Sequence, residues 1–183
     1  SEYSANPNYT TNKSKPVLDE IKRRKALQGT QAGNKDGNRL KVLTASSGAK
    51  NTLCNGIEWR LLAPNSSEGN IPKAKEGEPK NSSNPASLVI QWTVKIRGRE
   101  SVFVLAGDST VDIWERLNNE ITDEQLEWDV LLAPHHCSRH SLGRKVLKNG
   151  EETFEWSDGA YEGLNHPRSG KSHVVASSRK FGQ

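Results

Sequence analysis

The chain has 183 residues, with 26 Lys and Arg against 22 Asp and Glu, for a formal charge of +4. Hydrophobic residues make up 32% and charged residues 26%, against the roughly 45–50% apolar (Gly included) usual for one compact domain. No apolar run nears the ~20 residues that a bilayer demands, and the N-terminus lacks an apolar signal block, so the expectation is a soluble, cytoplasmic protein with no membrane partner.

The polar excess is uneven. Residues 1–38 and 65–85 are rich in Asn, Ser, Gly, Pro and Lys, whereas 86–107 and 128–134 are dense in Val, Ile and Leu. This predicts long solvated segments around a core-forming part. Methionine is absent, which suggests a fragment, a processed chain or a sequence with residues missing. Cys54 and Cys137 have no disulfide-framework spacing and fit a reducing compartment. The sequence pI near 9.1 suits either an anionic partner or a merely basic surface.

Residues 1–14 carry no period and read as a loose terminus. The spacing of Val17, Leu18, Ile21 and Leu27 predicts a short helix over 16–28, with Pro16 in its first turn. Lys22, Arg23, Arg24 and Lys25 then form either a solvated helix end or a binding patch. Segments 1–38 and 39–183 are therefore expected to differ, the first loosely ordered around this helix and the second carrying the fold. Strands are predicted over 39–45 and 56–63, joined by a turn-rich link that contains Cys54. Segment 65–85 reads as a mobile loop.

Residues 86–96 and 101–106 are β-branched runs separated by Arg97-Gly98-Arg99-Glu100, which predicts a hairpin. Gly107-Asp108 ends the second strand. A helix follows over 111–119, with Ser109 or Thr110 able to cap it. Residues 128–133 (WDVLLA) read as a short strand buried on both faces. They lead into Pro134-His135-His136-Cys137-Ser138. Residues 139–171 are polar, and 173–177 predict a last strand.

Asp108 and the His135-His136 pair thus stand at the exits of two buried strands, 27 residues apart with a helix between. Strand ends combine rigid backbone with cleft-facing side chains, the placement that a metal site needs. A carboxylate can bridge two divalent cations, and neutral imidazole is the commonest ligand of zinc. Each feature also has a plain structural use: Asp108 as a helix cap, the histidines as strand-end polar groups.

The run SLVIQWTVKIRGRESVFVLAGD, a helix, then WDVLLAPHHCSRHS resembles the second half of the metallo-β-lactamase superfamily, nearest the ComEC-like competence proteins. The likeness covers roughly residues 39–142. It implies an α/β (α+β) fold, part of an αββα sandwich with a mixed β-sheet and flanking helices. It also implies a hydrolase of nuclease or phosphodiesterase type using a dinuclear Zn or Mn site. Asp108, His135 and His136 become metal and catalytic residues, with Cys137, Ser138 and His140 beside them. Arg139, Arg144 and Lys145, with Lys148, follow the His pair directly and could contact phosphate or nucleic acid. The family's His-x-His-x-Asp-His signature has no counterpart, since all five histidines lie at 135 or later. A separate chain supplying that half, or a non-catalytic binding or accessory module, are the alternatives. Cys137 stands where the family usually has glycine.

Overall fold

The computed structural model describes residues 15–35, 45, 50–68 and 87–177. The expectations for 1–14 and for most of 39–45 and 65–85 lie outside the described residues. The chain divides into two units, residues 1–43 with 78–80 and residues 44–77 with 81–183. In the first, helix α1 (Lys15–Ala26) buries none of its residues. Glu20 bridges Arg23 and Arg24 one turn on. Both arginines hold its carboxyl down at about 2.

The second unit is α+β: a six-stranded mixed sheet with helices and a separate two-stranded sheet. Its strands are β1 (Lys50–Cys54), β2 (Ile57–Ala63), β3 (Val89–Ile96), β4 (Arg99–Leu105), β5 (Val130–Leu132), β6 (Gly143–Lys148), β7 (Glu151–Trp156) and β8 (His173–Val175). Helices α2 (Val111–Glu120) and α3 (Asp123–Leu126) fall between β4 and β5, and α4 (Asp158–Leu164) falls between β7 and β8. The sheet order is β1-β2-β3-β4-β5-β8. The first four strands form antiparallel pairs. Strands β5 and β8 then join in parallel, because α2, α3 and α4 carry the chain back between them.

Two expectations need correction. The link around Cys54 is itself a strand, β1, missed because its KNTLC sequence has no apolar alternation and only Asn51 is partly buried. The strand through Leu131 is not sealed on both sides: Leu131 is buried, but Val130 and Leu132 are only partly so.

The core lies on one face of the sheet. Leu62, Val89, Val104 and Leu131 from the strands meet Ile113, Trp114 and Leu117 of α2 and Ala160 of α4. Polar residues on the strands are used to seat α3. Arg60 donates to the Gln125 carbonyl at 3.0 Å, and Gln91 donates to the carbonyls of Gln125 and Glu127. Those carbonyls end a four-residue helix and would otherwise lack partners. The opposite face carries the registered row Trp59, Trp92, Phe103 and Val130, all partly buried, with the two indoles 6.4 Å apart.

Candidate functional site

Three parallel strands, β4, β5 and β8, end side by side, in the register Leu105, Leu132 and Val175. Just past those ends stand Asp108, His136 and Ser177. In open sheets with parallel strands, ligands gather beyond the carboxyl ends of the strands. Gly107 makes the first exit possible. Its φ is +52°, and a Cβ there would lie 2.9 Å from the Leu88 carbonyl oxygen, a position that only glycine takes without strain.

The second exit is stranger. His135, His136 and Cys137 all have positive φ, at 47°, 54° and 62°. Each left-handed residue with a Cβ costs roughly 1–2 kcal/mol. Consecutive left-handed residues persist only where their surroundings hold them. Here the His135 N–H donates to the Gly107 carbonyl at 2.8 Å, tying the two exits together. Below the turn, buried Ser141 donates to the carbonyls of Pro134 and Ser109, each at 3.3 Å. Ser109 in turn accepts from the Trp114 indole at 3.0 Å. The helix cap expected of Ser109 or Thr110 is not made through a side chain: Thr110 holds the cap position without such a bond.

The left-handed turn brings His136 to the carboxylate. Its Nε2 lies 3.5 Å from Asp108 Oδ1, and both side chains are open to solvent. Its Nδ1 lies 3.1 Å from the Ser177 carbonyl oxygen and 3.0 Å from the Ser177 hydroxyl. Two tautomers fit: with the proton on Nε2 the ring donates to Asp108 and Nδ1 accepts from the Ser177 hydroxyl, and with the proton on Nδ1 the ring donates to Ser177 and Nε2 turns a lone pair toward the carboxylate. In the second tautomer a cation between Nε2 and Oδ1 would be favourable. Ser177 had no signal in the sequence, since it follows an ordinary strand.

His135 is placed differently. Its ring stands 6.4 Å from that of His140, beside a concavity of about 340 Å³ shared with Thr110, Asp112, Arg144 and Lys145. His140 continues to Phe154 at 5.7 Å, and Phe154 to Trp156 at 5.1 Å. Ser138 accepts from the His140 backbone N–H at 3.3 Å, and Cys137 is exposed as a free thiol.

The basic residues after the His pair are largely engaged. Arg144 pairs with Glu115 and Asp112, Lys145 with Glu152 at 2.6 Å, and Lys148 with Glu155 at 3.4 Å. Arg139 instead lies over the Phe154 ring, 4.4 Å from its centroid. Among the described residues, no group of three or more His, Cys, Asp and Glu could hold a metal ion. Asp108 with His135 and His136 therefore does not form a complete ligand set. No described helix is long and apolar enough to cross a membrane. The protein matches no family model, no curated protein and no solved structure.

Proposed function

We propose that the protein is a metal-dependent hydrolase of the metallo-β-lactamase kind, acting on phosphodiesters. Asp108 and His136 would supply part of its ligand set. One observation carries this reading: the His136 imidazole sets Nδ1 against the Ser177 carbonyl and hydroxyl oxygens and Nε2 against the Asp108 carboxylate. Metal-bound histidines are oriented in just this way, by a hydrogen bond from the far ring nitrogen. The 3.5 Å separation is also close to the edge of about 3.4 Å between two ligands on a tetrahedral ion bound at ~2.0–2.1 Å. When bound, a divalent ion would supply a water acidic enough to attack phosphorus at neutral pH. Asp108 and His136 would hold that ion, and Ser177 would fix the ring that does so.

A second reading, a non-catalytic binding module, is favoured by the shortage of donors among the described residues. Metal content by elemental mass spectrometry separates the two. Zinc or manganese retained by wild type, and lost in both Asp108→Ala and His136→Ala, supports the hydrolase, and phosphodiester assays follow. Wild type that retains no metal leaves the binding module as the reading.

A further inference from the structure

A separate concavity of about 410 Å³ opens between the 134–142 turn, α4 and the edge of β8, within the ~300–1,000 Å³ of ordinary small-molecule sites. Trp128 and Leu131 line it as buried residues, and Leu142 and Leu164 as partly buried ones. Two aromatic side chains, Trp156 (62% exposed) and Tyr161 (56% exposed), line it from its open side. Large apolar groups left in water around a depression mark a surface that something covers.

The polar groups of the lining narrow the choice of ligand. The Trp128 indole already donates to the Leu164 carbonyl at 2.9 Å, and Ser141 is spent on Pro134 and Ser109. The rest of the lining is mostly apolar, which suits a ligand with a hydrocarbon or aromatic body. Ser138, Tyr161 and Asn165 add uncharged polar groups, and Arg139 is the one charged residue of the lining. It lines the same concavity, its guanidinium leans on Phe154, and among the described residues no carboxylate pairs with it. The neighbouring cations Arg144, Lys145 and Lys148 are all paired.

We propose that this pocket binds a small organic anion with an aromatic body, the body against Trp156, Tyr161 and the leucines and the carboxylate or sulfonate at Arg139. The site needs nothing at Asp108 and His136, so it stands or falls apart from the hydrolase reading.

The test uses 1-anilinonaphthalene-8-sulfonate as the probe, titrated into the full chain and followed by its fluorescence. Saturable binding at one site is expected. Arg139→Gln should weaken it about tenfold, the loss of one hydrogen-bonded charge contact, and Trp156→Ala a few-fold. Both side chains are exposed, so the melting temperature should hold in each variant. The uncharged analogue N-phenyl-1-naphthylamine should lose the dependence on Arg139 and keep that on Trp156. Probe binding that ignores both substitutions would come from elsewhere, such as the Trp59–Trp92 face, and overturns the proposal. So does the absence of saturable binding.

Discussion

Gly163 sets how closely α4 can approach α2. A Cβ built on it would lie 2.5 Å from the Trp114 carbonyl oxygen and 3.3 Å from Asn118 Cβ. The first distance falls about 0.9 Å short of the 3.4 Å at which ordinary contact begins, and the obstructing atom is backbone. Gly163→Ala should gain roughly 0.5–1 kcal/mol of helix propensity. It must also push two packed helices apart, which typically costs about 1–3 kcal/mol. The net expectation is a loss of up to about 2.5 kcal/mol, or a fall of up to about 10 °C in melting temperature for a domain of this size. Thermal unfolding followed by circular dichroism reads it. Gly159→Ala on the same helix is the control, because its Cβ would meet nothing nearer than 3.8 Å. It should be neutral or slightly stabilising. If Gly163→Ala melts at or above Gly159→Ala, the close helix approach is not what holds Gly163, and the packing argument fails.

Other substitutions probe the rest of the scaffold. Ser157 caps α4 by accepting from the Ala160 N–H at 3.1 Å and donates to Glu115 at 2.6 Å. Ser157→Ala should therefore cost about 1 kcal/mol in urea denaturation. Arg116, only 16% exposed, binds Glu68, Glu120 and the Leu62 carbonyl. Arg116→Lys keeps the charge but loses the planar fork, and should lower the urea midpoint by about 1–2 kcal/mol equivalent. Burial pushes the Glu115 carboxyl up, but bonds from Ser157 and Arg144 outweigh it and leave the pKa below its usual value. A depressed carboxyl stabilises the fold above the unfolded value of about 4.3 and is lost as pH falls through the lower folded value. Glu115→Gln should accordingly flatten the acid limb of stability against pH and leave its slope at neutral pH unchanged. Cys137→Gly should relieve a left-handed residue and raise the melting temperature by a few degrees, whereas Cys137→Val should lower it.

The central hairpin could be read from the residues because VIQWTVKI and SVFVL are β-branched and flank Arg97-Gly98, whose φ values are both positive as a tight hairpin turn requires. Helix α2 followed from its apolar spacing, and the strand-end positions of Asp108 and the histidines followed from the elements before them. The β6–β7 hairpin was hidden although Asn149-Gly150 is a strong turn signal. Its strands are joined largely by charged side chains, Lys145 to Glu152 and Lys148 to Glu155, so no apolar alternation marks them. The choice between His135 and His136 was equally out of reach. Side chains on an ordinary strand would alternate, but three left-handed residues send the second imidazole to Asp108 for reasons held in the Gly107 and Ser141 contacts.

The partner of His136 comes from the least secured part of the sheet. Ser177 lies two residues beyond β8, a three-residue edge strand whose side chains are all exposed. Among the described residues its neighbour in the sheet is β5 alone. Short, exposed edges open far more readily than the core they border, at a small fraction of the global unfolding energy. Each such opening breaks the contact between Ser177 and the imidazole while α2 and its core stay packed. The contact between Ser177 and His136 thus lasts no longer than the pairing of β8 with β5. Amide exchange at His173, whose N–H donates to the Asp129 carbonyl across the pair, would report that opening more directly than any measure of overall stability.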